Sequence, residues 1–439
     1  MKRVPLVLFA LLLTAVSALR AQQMLTLEEA IATALQNNYD IQLSKNDSMV
    51  AALDYSYRNM VFFPTLNGVA STTWNNNNQR QTLADGSKRE QDGIRSHNSQ
   101  ASLQLQWVLF DGFKMFATRE RGEQLIGLGA LTVRNQVVNT VASVVNTYYD
   151  VVRQKQQLRS VEEQITLNEE RVKLSQYKLD IGTGAKPDLL QSKVDLNAQR
   201  SAKLAQLALI DQLKDQLNQA MNTKLGTMFE VADSIPLNTG LGLGDIQIGI
   251  EKSNPALLIA QKNIDIAQLQ LKERKAERWP VVSFNSAYNY SRTDNKTVIN
   301  PFSTLFNQSN GLNYGFSAQI PIFNGLNARR LVRQAQLNVN YLQTSYANEK
   351  ALTDLSVVNA FRVYEQNKKT LDIEEENIKL ARENVDIVFQ VYKLGAATLV
   401  QLREAQTSLE GANNRLIAAR YATKVSETEL LRLKGEIIK

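Results

Sequence analysis

Cysteine is absent from the 439-residue chain, and histidine occurs once, at His97. The lack of cysteine excludes disulfide scaffolds, thiolate metal sites, cysteine nucleophiles and an N-terminal lipid-bearing cysteine, and it is compatible with an oxidising compartment. A single histidine has no partner for a tetrahedral zinc site or an acid–base pair. The sequence therefore predicts no metal, no cofactor and no enzymatic activity.

Long hydrophobic runs are equally scarce, and the one that exists lies at the N-terminus. Lys2 and Arg3 precede an apolar run that ends at Ala18, which is the layout of a secretory signal and is too short to cross a bilayer as a mature helix. We expect a signal peptide over 1–21, and cleavage after Ala18 or after Ala21 fits the pattern equally well.

Positive charge is modest once that segment is removed. Cleavage takes away three basic residues and lowers the formal net charge from +7 to +4, which gives little support to a nucleic-acid partner. No other apolar run approaches eighteen residues, so no transmembrane helix is predicted. A membrane location would therefore have to use strands.

The chain contains one long stretch twice. Phe110-Asp111-Gly112 recurs as Phe323-Asn324-Gly325, and Gly182 recurs as Gly395, all at an offset of 213 residues. Within both stretches proline is absent and apolar residues recur at helical spacing, so each is predicted to be one helix of about 100 Å. The two long helices are therefore predicted to have the same length.

The segments before these helices are duplicated as well. Asn38 and Asn254 are 216 residues apart, and so are Pro64 and Pro280. Each copy is expected to contain a helix, a β-hairpin, a long helix and a shorter helix. The first helix of each copy is predicted over 26–63, with a break near Asn37-Asn38, and over 246–279. The predicted organisation is a first repeat over 22–222, a linker over 223–245 and a second repeat over 246–439.

Alternation with a period of two follows each of the two prolines. Between 102 and 109, leucine and tryptophan at the odd positions alternate with serine, glutamine and one valine at the even positions, and similar patterns occur in three other segments. Four strands of about ten residues match the length and pattern of outer-membrane strands. Polar loops are predicted over 75–96 and 293–313.

Four strands leave two open edges, which are very costly in hydrocarbon. Two copies of the chain would supply eight strands and a barrel filled by its own side chains. Three copies would supply twelve strands and an aqueous lumen. The trimer is therefore favoured.

Several short motifs carry a family resemblance. They include Leu25-Thr26-Leu27-Glu28-Glu29-Ala30, Asn254-Pro255-Ala256-Leu257 and the two prolines already described. Together with the strand exits and glycine turns, they resemble the TolC-like outer-membrane efflux proteins, the outer membrane factors of tripartite export systems. The resemblance implies a mixed, mainly α fold. In that fold, three chains build a twelve-stranded outer-membrane β-barrel that is continuous with a long periplasmic α-helical barrel.

The resemblance also implies an aperture. In the family the helical barrel is closed at its far periplasmic tip. There the shorter helix of the second copy lines the constriction with acidic side chains one turn apart, and these positions match Gln401 and Glu404. A trimer would carry one carboxylate ring from Glu404 and one uncharged ring from Gln401. Carboxylate rings attract cations, and this chain would have one such ring where some relatives have two. We therefore expect a weaker cation preference than in those relatives.

Family members hold the tip closed by links among a Tyr, an Asp and an Arg. Tyr392 matches the Tyr and Asp188 the Asp, but Ala397 stands at the Arg position, where Lys186 is expected to substitute from an adjacent place. The turns themselves are the expected contacts of an adaptor. These turn residues are Gly182, Thr183 and Gly184 in the first copy and Gly395, Ala396 and Ala397 in the second.

The function implied is a passive, gated conduit that exports small molecules such as drugs and toxic compounds. The expected location is the outer membrane of a Gram-negative cell, with an extension into the periplasm. The expected partners are a homotrimer of the chain itself, a periplasmic adaptor (membrane fusion) protein, an inner-membrane pump and outer-membrane lipid. A duct for polypeptide secretion with the same fold, or a trimeric stalk without a pore, remains the alternative.

Overall fold

The computed structural model describes residues 23–226, 228–300 and 302–437. The signal peptide expected over 1–21 lies outside the described residues. The first copy consists of β1 (Gln23–Met24), α1 (Leu27–Asn37), α2 (Tyr39–Ser56), a 3₁₀ turn (Arg58–Phe62), β2 (Thr65–Thr82), β3 (Lys88–Phe110), α3 (Lys114–Asp180) and α4 (Lys186–Ala220). The rest consists of β4 (Phe229–Glu230), α5 (Leu243–Gln247), α6 (Ile250–Ser253), α7 (Pro255–Ala276), β5 (Val281–Asn295), β6 (Phe306–Gln319), α8 (Asn327–Lys393) and α9 (Leu399–Lys434).

The two long helices have the length that the repeat predicts. Helices α3 and α8 each contain 67 residues, and their first residues are 213 positions apart. Among the described residues, no helix is both long and apolar enough to cross a membrane. The described residues form two compact units, a helical unit within 23–48, 129–260 and 346–437 and a strand unit within 49–128 and 261–345.

The duplicated asparagines begin helices in the helical unit. The Asn38 side-chain oxygen accepts hydrogen bonds from the backbone of Asp40 and Ile41, while its amide donates to the Ala220 carbonyl at 2.8 Å. Asn254 repeats both contacts, with Leu257 and with the Leu433 carbonyl, the latter also at 2.8 Å. Asparagine occurs in both copies because one side chain caps the new helix and also satisfies the end of α4 or α9.

The core of the helical unit includes part of the segment predicted as a linker. Strand β4 pairs in parallel with β1, and Val231 is fully buried beside α3. The Tyr148 hydroxyl donates to the Leu25 carbonyl at 2.9 Å and accepts from the Ala232 backbone at 3.1 Å. Residues 229–235 are therefore a packed part of the unit, because their apolar side chains cover the α1 and α3 contact.

The strand unit contains one antiparallel sheet in the order β2-β3-β5-β6. The polar loops predicted over 75–96 and 293–313 are too long, since strands occupy most of both segments and the connections shrink to 83–87 and 296–305. Asparagine and glutamine have low strand propensity, but here they pair across the hairpin, as Asn75 does with Ser96. Cross-strand pairing outweighs the local preference.

Two predicted helices are also shorter than expected. The helix predicted to reach Phe63 ends at Ser56 and is followed by the 3₁₀ turn. The helix predicted over 246–279 is divided into α5, α6 and α7, with Gly249 at a positive φ of 78° between the first two. A left-handed glycine cannot continue an α-helix, which accounts for this break.

Candidate functional site: a two-faced sheet and two helix turns

The register of the sheet gives it two chemically different faces. Directly paired residues point to the same side, and Leu105 is paired with Leu66 and Ser286, while Leu103 is paired with Gly68 and Tyr288. The apolar face that results contains Leu66, Leu103, Leu105, Trp107, Phe284, Tyr288, Leu312, Tyr314 and Phe316. These side chains match the lipid-facing side of an outer-membrane strand.

The opposite face is polar and carries no charge over the same rows. It contains Gln100, Ser102, Gln104, Gln106, Asn285, Asn289 and Ser291. Strands β2 and β6 form the two edges of the sheet within the described chain, so each leaves one row of backbone groups for another partner. One apolar face, one wet face and two free edges are the properties of a barrel segment.

The two long helices end in the same turn. Gly182 and Gly395 have φ angles of 78° and 77°. The Gly182 N–H donates to the Leu179 carbonyl, and the Thr183 N–H donates to the Lys178 carbonyl. In the second copy the Gly395 and Ala396 N–H groups form the two equivalent bonds. This is the Schellman motif, which needs a left-handed residue after the helix and therefore favours glycine.

Gly184 has a different role from Gly182. Its N–H donates to the Lys178 carbonyl at 2.8 Å, and a Cβ at this position would lie 2.8 Å from the Lys178 Cβ and from the Leu179 nitrogen. The first turn is therefore packed against the end of α3 and has no room for a side chain. Ala397 occupies the corresponding position in the second turn.

Gln401 is part of a capping box at the start of α9. Its side-chain oxygen accepts from the Thr398 backbone at 2.8 Å, and its own N–H donates to the Thr398 hydroxyl at 3.3 Å. Glutamine at this position satisfies the helix end, a role that glutamate also fills in such boxes. The family resemblance points only to an aperture role for Gln401, although the Thr-x-x-Gln pattern of the box is visible in the sequence.

Gln401 and Glu404 lie on the same exposed surface of α9. With Val388 of α8 and Ala397 of the turn, they line one open groove of about 440 Å³. The structure thus brings together the two residues assigned to the aperture. Both side chains are exposed in this chain.

Tyr392 is buried and is engaged by a lysine. Its ring packs with Leu399 and Leu402, the Lys178 ammonium lies 3.9 Å from the ring centroid, and that ammonium also donates to the Tyr392 carbonyl at 2.7 Å. Across the described residues no hydrogen bond joins the side chains of Tyr392 and Asp188. Within one chain, therefore, Lys178 ties the first turn to the second.

The other two residues assigned to tip closure lie in the first turn of α4. The Asp188 carbonyl accepts from the Ser192 hydroxyl at 2.8 Å, and its carboxylate lies near the helix N-terminus, where negative charge is favoured. Lys186 is exposed at the first residue of the helix. Lys186 is therefore the more accessible of the two, since Asp188 is half-buried.

A buried ionic network lies beneath the turns, and no sequence motif indicates it. Arg171 is 2% exposed, and its guanidinium donates to Gln406 at 2.7 Å and to Asp195 at 2.5 Å. Arg403 also reaches Asp195 at 3.1 Å. Burial lowers the pKa of Arg171, and the charge of Asp195 opposes that effect. The network joins α3, α4 and α9 through one carboxylate.

Comparisons with known proteins agree with this architecture. The family model described as "Outer membrane efflux protein" matches residues 30–223 and 250–436. The chain is 22% identical to the outer membrane protein TolC of Escherichia coli (strain K12) over 362 residues, which cover 80% of this chain and 72% of that protein. It is 25% identical to the TolC of Vibrio cholerae over 191 residues, which span 43% of this chain and 42% of that protein.

A solved structure shows the same fold. The Campylobacter jejuni CmeC outer membrane channel superposes with a TM-score of 0.78 at 15% identity, covering 94% of this chain and 86% of that one. The family model covers both copies of the repeat, including the strands and both turns. This chain therefore belongs to the outer membrane efflux protein family.

Proposed function

We propose that this outer membrane efflux protein is a passive, gated conduit for small molecules and that it works as a homotrimer. The observation that carries the proposal is the four-stranded sheet with one apolar face, one uncharged polar face and two free edges. In hydrocarbon the edge groups of β2 and β6 need backbone partners. Edge pairing among three chains closes a twelve-stranded barrel with the polar face toward an aqueous lumen.

The same faces argue against a stalk without a pore. A stalk would have no use for rows of glutamine, asparagine and serine enclosed by a barrel, whereas a water-filled lumen solvates them. Glutamine and asparagine offer hydrogen bonds without charge, so this part of the conduit would pass cargo of either sign. Charge selection is then left to the aperture.

The aperture is assigned to Gln401 and Glu404. Three chains would place three Glu404 carboxylates around one axis, and their mutual repulsion and attraction for cations set the selectivity of the closed state. The Gln401 ring, tied into its helix cap, adds no charge. Opening requires the N-terminal ends of α4 and α9, next to the two turns, to move outward.

Energy for export must come from partners, because the sequence has no motor motif. We assign the two turns, Gly182 to Gly184 and Gly395 to Ala397, to a periplasmic adaptor protein that couples the conduit to an inner-membrane pump. Support comes from the exposure of Gly182, Thr183, Gly395 and Ala396. It also comes from the two Schellman hydrogen bonds that both turns share, which offer an adaptor two similar backbone turns per chain.

Bulky substitutions at both turns test this assignment. Thr183→Trp and Ala396→Trp enlarge the equivalent exposed positions without removing a left-handed glycine. In a strain that depends on this channel for drug export, the double variant should restore little drug resistance. Ser201→Trp, on an exposed part of α4, is the matched control and should behave as wild type. Full resistance with the double variant would refute the adaptor site.

A further inference from the structure

Three segments meet where the strands join the helices. They are 111–121 at the start of α3, 272–278 at the end of α7 and 329–333 at the start of α8. The Lys114 ammonium lies 2.9 Å from Glu277, and one groove is lined by Glu273 and by Leu331. All three segments lie at the same end of the sheet, since both hairpin turns lie at the other end. We call this surface the junction belt.

Positive charge concentrates in the junction belt. The three segments contain ten Lys or Arg residues against four Asp or Glu residues, an excess of six, although the chain without its signal peptide has a formal net charge of only +4. The rest of that chain is therefore slightly negative. Such a local excess is an electrostatic footprint for an anionic partner.

Part of this charge is already neutralised. Lys114 and Arg274 share Glu277, Arg121 pairs with Glu273, and Lys272 lies near Glu120. The remaining six cations are exposed, and no carboxylate among the described residues lies within ion-pair distance of them. They are Arg119, Lys275, Arg278, Arg329, Arg330 and Arg333.

The start of α8 makes the imbalance sharper. Helix α3 begins after Asp111, whose carboxylate accepts from the Met115 backbone at 3.0 Å and offsets the positive helix N-terminus. At α8 the equivalent residue is the neutral Asn324, and the next residues include Arg329 and Arg330. Cations at a helix N-terminus are unfavourable unless an anion lies nearby.

Exposed apolar side chains accompany these cations. Trp279 is 61% exposed, Phe113 65% and Phe323 80%. All three lie in the connections between strands and helices, beside the end of the apolar sheet face. Aromatic rings next to Arg and Lys are typical of the boundary between acyl chains and headgroups, where long basic side chains reach the phosphates.

We propose that the junction belt binds the headgroups of anionic phospholipids in the leaflet that faces the periplasm. The inference rests on the proposed function, which places the apolar sheet face in the bilayer. The phosphodiester groups would be the counter-charge for the six unpaired cations and for the positive N-terminus of α8. The rings of Phe113, Trp279 and Phe323 would lie in the acyl region next to these headgroups.

Tryptophan quenching tests the belt directly. The chain has three tryptophans, and the background Trp74→Phe/Trp107→Phe leaves Trp279 as the reporter. The full-length protein is reconstituted with brominated phosphatidylglycerol or brominated phosphatidylcholine, and quenching gives the relative binding constant of the two lipids. We expect phosphatidylglycerol to be preferred about fivefold, with the preference falling at high salt.

Charge-removal variants identify the source of the preference. Two triple variants should lower it toward one, namely Arg329→Gln/Arg330→Gln/Arg333→Gln and Arg119→Gln/Lys275→Gln/Arg278→Gln. The matched control removes three exposed lysines from the helical unit, Lys45→Gln/Lys193→Gln/Lys379→Gln, and should retain the full preference.

Three results would overturn the proposal. They are equal binding of the two lipids by the parent protein, an equal loss of preference in the control, or junction variants that weaken trimer recovery while the lipid preference stays intact. The last result would assign the cations to a neighbouring copy of the chain. Channel conductance is a separate readout, so a conducting protein without lipid preference refutes only the belt, and a lipid-selective protein without conductance refutes only the conduit.

Discussion

The turn at Gly182 and the turn at Gly395 share a left-handed glycine and two Schellman hydrogen bonds but differ in the residues that support them. Both follow a 67-residue helix and both form the Schellman bonds. The first is followed by a helix that has Pro187 near its start and no side-chain cap from any described residue, whereas the second has the Thr398 and Gln401 box. The duplication has kept the geometry and changed the chemistry.

The network beneath the turns shows the same asymmetry. Arg171 and Asp195 have Asn384 and Ser408 at the corresponding second-copy positions, so these two positions cannot form a second ion pair. The single network reaches across and holds α9 through Gln406. The first copy thus provides the buried Arg171 and Asp195 pair. The second copy provides Gln406 and Arg403 of α9, which contact that pair. The aperture residues lie on that held helix.

The largest effect is expected from removing the carboxylate of this network. Asp195→Ala leaves the Arg171 guanidinium buried without a counter-charge, which should lower the free energy of unfolding by about 3–5 kcal/mol. Denaturant titration followed by helical circular dichroism measures it. Glu169→Ala, which breaks the exposed pair with Arg200, is the control and should cost less than about 1 kcal/mol. Equal losses would show that the network is unimportant.

Glycine substitutions at the turns should have smaller and equal effects. Gly182→Ala and Gly395→Ala each force a side chain into the left-handed region, at a cost of about 1–2 kcal/mol. The same denaturant titration compares them. Because a Cβ added at either glycine would have no described neighbour within 4 Å, the backbone alone sets the cost. Unequal losses would show that the two turns are not equivalent in geometry.

The helix caps should give the smallest effects, and these should differ in sign between the copies. Thr398→Ala removes the cap of α9 and should cost about 1 kcal/mol, whereas Ala185→Thr supplies a side-chain cap to α4 and should stabilise it by up to a similar amount. Hydrogen exchange of the first turn of each helix measures the change. Destabilisation by Ala185→Thr would contradict this account of the first turn.

Repetition explains which parts of the fold are predictable from the sequence. The long helices are predictable because two sets of landmarks fix both ends at one offset. The polar strand ends and β4 are not, because their pairing partners, such as Ser96 for Asn75 and Gln23 for Phe229, are supplied by the folded chain. Local propensity cannot report such contacts.

The site divides in the same way. Family motifs place Gln401 and Glu404 together on one surface, but Arg171 is invisible in the sequence because its partners are 24 and 235 residues away. The resemblance assigns Tyr392 to a link with Asp188, while in this chain its contact is Lys178, from the last turn of the first long helix. Contacts between the two copies are the information that a single repeat does not contain.

Planar-bilayer conductance tests the central claim most directly. The purified wild-type protein is compared with Glu404→Ala, which removes the carboxylate ring, and with Gln401→Asp, which adds one. We predict small cation-selective currents whose cation preference falls with Glu404→Ala and rises with Gln401→Asp. Currents that ignore both substitutions would contradict the assigned aperture, and a folded trimer that conducts in none of the three forms would contradict the conduit itself.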